Sequence, residues 1–182
     1  MPHSFASSSS SSNFQSIVNA ALKSYEKLTK KDLLAHPLAA QLQSCNSPGD
    51  ILAVLKDQVH EFGLSHSGEG IQARWLISTV NVLYAFSNTL GEGVGLVFSP
   101  AKVIFAGFGV LLLAAKDVAG SQDALVDLFE RIEHFFKRLE TYTDVPPTEA
   151  MSDIIVKIMV EVLTILALAT KEIRQGRASE SN

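Results

Sequence analysis

Apolar residues recur along this chain at intervals of three and four, the spacing that predicts helices. From Asn13, an N-cap residue type, Phe14, Ile17, Val18, Ala21, Leu22, Tyr25 and Leu28 step along one face. Lys23, Glu26, Lys27 and Lys30 fall mostly elsewhere, giving an amphipathic helix with a basic far end. Leu33 to Cys45 reads as a short helical piece, with Pro37 in its first turn and Leu38 and Leu42 facing inward. Ser47-Pro48-Gly49-Asp50 is a start signal: a serine cap, proline at the first helical position, and an acid where the helix dipole favours one. The helix it opens runs to about Phe62 and buries Ile51, Leu55, Val59 and Phe62. A polar, glycine-bearing loop over 63–70 leads to a further helix, which presents Ile71, Trp75, Leu76, Val80, Leu83, Phe86 and Leu90 and ends at Gly91.

Beyond Gly91 the pattern changes. Gly91, Gly93 and Gly95 read as a flexible connection, and Ser99-Pro100 restarts the chain as a cap and first-turn pair. Between Lys102 and Lys116 the run Val103 to Ala115 is apolar throughout and contains Gly107 and Gly109. A helix apolar on every side is either the core of a bundle or a membrane-inserting segment. At 1.5 Å per residue this run covers ~20 Å against a hydrocarbon core of ~30 Å, too short for a resident span. Residues 100–119 are therefore expected to form a buried core helix, with Gly107, Gly109, Leu111 and Leu112 as its close-packing or insertion positions.

Ser121 is expected to cap the next helix. There Leu125, Leu128, Ile132, Phe135, Leu139 and Tyr142 form a heptad seam widened by Phe129 and Phe136, and Asp127–Arg131 and Glu133–Lys137 pair on the outer face. After Pro146-Pro147, Thr148 caps a last helix whose charges form one narrow stripe: Asp153, Lys157, Glu161, then Thr164 and Lys171. That pattern predicts a helix wrapped by neighbours as far as Ile173. No period-two stretch bounded by hairpin turns interrupts the series, so the expected fold is all-α: a multi-helix bundle of about five to six helices around a buried apolar central helix. One domain over 13–176 is expected, between a disordered serine-rich tail at 1–12 and a polar tail at 177–182.

Composition narrows the function. Hydrophobic residues make up 47% of the 182 and charged residues 19%, against a usual ~25% charged. A net charge of −4 without a clustered basic face argues against nucleic-acid binding. Cys45 is the single cysteine, which excludes an intrachain disulfide and a cysteine zinc site. No apolar stretch follows a basic N-terminus, so a reducing, cytoplasmic setting is expected.

Catalytic patterns fail one by one. Gly63-Leu64-Ser65-His66-Ser67 begins like a nucleophile elbow but has Ser67 where glycine is needed and no preceding strand. His60-Glu61 begins like a zinc-protease helix, but Leu64 stands where the second histidine belongs. Gly91-Glu92-Gly93-Val94-Gly95 has no Gly-Lys-Ser/Thr after it to hold a phosphate. His3, His36, His60, His66 and His134 are scattered, with no i, i+4 pair. No catalytic, cofactor or metal residue is assigned, and no enzyme is expected.

Several segments carry a resemblance: KDLLAHPLAAQLQSC, SPGDILAVL, TVNVLYAFSNTLGEGVGLVFSPAKVIFAGFGVLLLAAKDV, SQDALVDLFERIEHFFKRLETYT and MSDIIVKIMVEVLTILALATKEI. Together, over about 14–176, they resemble the Goodbye domain, the N-terminal module of many fungal STAND (NLR-like) proteins. The resemblance implies a non-enzymatic effector module related to HeLo-like four-helix-bundle death domains, acting in fungal innate immunity and programmed cell death. It also implies self-association, contact with anionic lipid on activation, and control by a nucleotide-binding receptor module in cis or in trans. No such module follows in this sequence, which leaves an excised domain and a stand-alone protein both open. Two functional readings follow, a membrane-perturbing effector and a homotypic adaptor that signals without touching lipid, with a bundle holding a hydrophobic ligand cavity as a weaker third. Phe14, Ile17, Val18, Lys23 and Lys27 are the expected membrane- or partner-contact surface.

Overall fold

A computed structural model describes residues 7–61, 71–91, 99–116, 118, 120–145 and 148–180. Seven helices and one 3-10 turn are present among them: α1 (Ser7–Thr29), α2 (Pro37–Gln43), α3 (Pro48–Glu61), α4 (Ile71–Gly91), α5 (Pro100–Ala115), α6 (Ser121–Leu139), the turn Glu140–Tyr142, and α7 (Glu149–Glu180). The all-α reading holds, with more helices than the five to six expected, because the seven-residue α2 stands as a helix in its own right. The glycine-bearing stretches at 63–70 and 93–95 and the Pro146-Pro147 break lie outside the described residues.

The chain's capping chemistry sets where the helices begin. At α3, Ser47 Oγ accepts from the Asp50 N–H at 3.2 Å, and Asp50 Oδ2 accepts from the Ser47 and Asn46 N–H groups at 3.0 and 3.1 Å. This reciprocal cap satisfies donors that a helix start leaves orphaned. The Ser47 hydroxyl first, and then the Asn46 N–H, hold the Asp50 carboxyl below its ordinary range. Thr148 Oγ1 accepts from the Met151 N–H in the same way and opens α7.

Several expected boundaries differ, and α5 ends at Ala115 where the helix was expected to reach 119. α1 begins at Ser7, not at an Asn13 cap, so helix reaches into the stretch expected as a serine tail; serine costs only tenths of a kcal/mol in a helix that later residues anchor. At the other end, α7 continues to Glu180 through the expected polar tail. Ser121 is not the cap of α6: Gly120, at φ +77°, holds that position, and the Ser121 hydroxyl donates to the Ala115 and Val118 carbonyls instead. It thereby closes the end of α5 and fixes the turn into α6.

α4, α5, α7 and α6 form a four-sided arrangement. α4 packs on α5, α5 packs extensively on α7, and α6 packs on α4, whereas α6 and α7 barely touch. α2 and α3 cross α5, and α1 rests chiefly on α7. Every residue of α5 from Val103 to Leu112 is buried. Trp75 of α4 stacks on Phe129 of α6, with ring centroids 4.2 Å apart, and Phe108 of α5 tilts against both rings at 5.7 and 5.8 Å. These aromatic contacts each contribute about 0.5–1.5 kcal/mol beyond their burial and join three helices at one point.

Candidate functional site

Two glycines two residues apart in a helix point about 200° apart, so Gly107 and Gly109 serve different neighbours. A Cβ on Gly107 would stand 3.1 Å from Leu166 Cδ1 of α7 and 3.8 Å from the Tyr25 ring of α1. On Gly109 it would run into the Leu38 Cδ2 of α2. Each glycine lets a helix approach α5 closely. Leu111 and Leu112 are fully enclosed beside them.

The expected contact surface of α1 is divided. Phe14 and Val18 are buried, and Val18 and Ala21 share a small apolar cleft with Ile104 and Leu163. Ile17, Lys23 and Lys27 are exposed. In this state, therefore, α1 spends Phe14 and Val18 on its own core and shows solvent mostly its polar side. Its far end is tied down: Lys30 turns out of the helix at φ 57°, Thr29 Oγ1 donates to the Tyr25 carbonyl at 2.9 Å, and Arg174 of α7 donates to the Thr29 carbonyl.

Beneath Gly107 the Tyr25 phenol is buried without a hydrogen bond of normal geometry. Burial pushes its pKa up to about 12; the nearby Thr170 hydroxyl softens the rise, but donates its own proton to the Leu166 carbonyl at 2.7 Å. Lys102, one of the two lysines bracketing the apolar run, reaches back to the end of α2. Its Nζ donates to the Gln43 and Cys45 carbonyls at 3.1 and 2.8 Å, a cation on the negative end of a short helix. Burial, and then the Asp50 charge, raise the Cys45 thiol, while Lys102 opposes them. His36 is also structural: its Nδ1 accepts from the Leu38 N–H at 3.2 Å and caps α2, and burial, with the Lys31 charge second, lowers its pKa. No group of three metal-ligating side chains occurs among the described residues.

An open apolar feature lies on the fourth side of the helix arrangement. Leu128, Arg131, Ile132 and Phe135 of α6 and Lys157, Ile158, Glu161, Val162 and Ile165 of α7 line an apolar groove of about 550 Å³. Ile154 is 56% exposed and Leu168 46%, and both continue the same face of α7; Phe135 and Ile165 are each 36% exposed. These positions were not among the expected site residues, and two earlier expectations are corrected by them. The inward stripe of α6 is Leu125, Phe129, Ile132 and Phe136, which leaves Phe135 and Tyr142 exposed and Leu128 only half-buried at the edge of the core. α7 is not wrapped, because α5 and α1 cover only part of its circumference. The available signal was an excess: a helix apolar outside one charged stripe has more apolar surface than two neighbours can cover.

No helix among the described residues is long and apolar enough to cross a membrane. A family model described as the fungal STAND N-terminal Goodbye domain matches residues 18–142, short of α7. No curated protein and no solved structure matches the chain.

Proposed function

The chain belongs to the Goodbye family of fungal STAND N-terminal domains, and from that membership we propose a non-enzymatic effector that triggers regulated cell death by oligomerising and then perturbing a membrane. The observation that carries this reading is α5. It is apolar on every side, and in the closed bundle it is sealed under α7, α2, α3 and α4 with α1 laid over the α7 flank. A segment of this kind stays out of contact with lipid until neighbouring helices move, and a rearranged bundle could present it at a bilayer surface. The lysines of α1, Lys23 and Lys27, already face solvent and suit an anionic surface. The effector would be cytoplasmic at rest, membrane-associated when active, and controlled by a nucleotide-binding module in cis or in trans.

The test is dye release from anionic vesicles by the chain forced to oligomerise through a fused multimeriser. Leakage that depends on the multimeriser and falls when Lys23 and Lys27 are replaced by glutamate supports the effector. Cell killing without any leakage would favour the second reading, a homotypic adaptor that recruits a partner without lipid. The specific observation behind that second reading is the open apolar groove between α6 and α7.

A further inference from the structure

We propose that the α6–α7 groove is where a second copy of this chain docks, about a two-fold axis running parallel to the two helices, with Arg131 of each copy facing Glu161 of the other. The inference rests on the self-associating effector reading and supplies its surface. Four of the large apolar side chains exposed among the described residues lie along the groove, Phe135, Ile154, Ile165 and Leu168, and Tyr142 and Val145 are exposed in the connection that follows α6. Monomers seldom carry a contiguous apolar patch beyond a few hundred Å², and larger ones mark interfaces. Half-buried Leu128 and Ile158 line the floor of the same face, so its apolar surface runs between the two helices.

The charges select the partner and its orientation. The groove is lined by α6 from Leu128 to Phe135 and by α7 from Lys157 to Ile165; Arg131 falls near the middle of the first stretch and Glu161 at the middle of the second. A two-fold parallel to the helices lays α6 of one copy over α7 of the other at the same level, so Arg131 meets Glu161 at two symmetry-related places. A two-fold across the helices would set Arg131 against Arg131 and Glu161 against Glu161, which like-charge repulsion opposes. An isologous contact needs a self-complementary patch, and one basic and one acidic rim at matched height make such a patch. Lys157 stands one turn nearer the connection and remains exposed to solvent. Facing grooves would give a four-helix contact with apolar side chains inside and the Arg–Glu pairs on both flanks.

Sedimentation of the full chain tests this. The wild-type chain is expected to dimerise reversibly in the micromolar range. Ile165→Glu should weaken the dimer by roughly tenfold or more, with the unfolding midpoint of dilute, monomeric protein unchanged, because the position is already exposed. R131E alone and E161R alone should each be largely monomeric, since each homodimer sets like charges together at both contacts. An equimolar mixture of the two should dimerise again, since the heterodimer restores opposite charges at both. A monomeric wild type, an Ile165→Glu dimer as tight as wild type, or a mixture that stays monomeric would each overturn the proposal. So would a monomer whose binding to anionic vesicles is abolished by Ile165→Glu, which would assign the groove to lipid. Dimerisation without vesicle leakage would leave this surface standing and remove the membrane step, so the two proposals fail separately.

Discussion

α5 and the outward face of α7 carry the same kinds of side chain, yet one is sealed and the other is open. Val103 to Leu112 have helices on all sides, whereas Ile154, Ile165 and Leu168 border solvent across a groove from Phe135. The difference lies in approach distance. Gly107 lets α7 and the Tyr25 ring come close to α5, and Gly109 lets α2 do so on another side. Nothing comparable draws α6 against α7, where Phe135 and Ile165 stand between the helices. Burial is decided by what can come near, and the same apolar content therefore builds a core in one place and an interface in another.

The widest contrast should come from one substitution in each region. Phe108→Ala empties the centre of the Trp75–Phe108–Phe129 cluster and is expected to cost about 3–5 kcal/mol in urea unfolding. Ile165→Glu, on the open face, should change stability by less than about 0.5 kcal/mol. Comparable losses from the two would erase the distinction.

Tyr25 probes the sealed side by pH. Its phenol titrates at an ordinary 10.0 when unfolded and at about 12 when buried, so the folded state holds this proton more tightly. The contribution is complete below pH 10 and disappears as pH rises from 10 to about 12, a loss on the order of 3 kcal/mol. Tyr25→Phe should remove that portion of the alkaline decline. At neutral pH it should cost little, since the hydroxyl has no hydrogen-bond partner to lose. An unchanged alkaline profile in Tyr25→Phe would mean that the phenol is not sealed beneath Gly107.

Smaller effects separate the two glycines. Gly109→Ala forces the buried Leu38 out of place and is expected to cost about 1–3 kcal/mol. Gly107→Ala asks Leu166 to give way by tenths of an ångström, while alanine regains ~1 kcal/mol of helix propensity, so its net change should stay within about 1 kcal/mol. Thermal unfolding of both variants ranks them, and the reverse order would misplace the tighter approach.

Much of the fold was legible because it is locally encoded. The Ser47–Asp50 reciprocal cap, the Thr148 cap and the apolar run of α5 each follow from residues adjacent in the chain. Ser99 shows where local reading ends: it holds the N-cap position of α5, but its hydroxyl meets Ser87 Oγ of α4 at 2.8 Å. The groove was not legible for a related reason. Apolar pairs at 128–129 and 135–136 give α6 two overlapping stripes, each with proper helical spacing, and only the position of Trp75 makes Phe129 and Phe136 the inward pair. On α7 the open face depends likewise on which neighbours arrive, something its own sequence does not contain.

Hydrogen exchange measured on dilute and concentrated protein tests the central claim most directly: α5 is core, and the α6–α7 face is an interface between copies. The expected result is that peptides spanning 128–135 and 154–168, which open locally in the monomer, gain protection with concentration, while those spanning 103–112 exchange only by global unfolding at either concentration. Concentration-independent exchange at 128–135 and 154–168, or fast local exchange within 103–112, would contradict it.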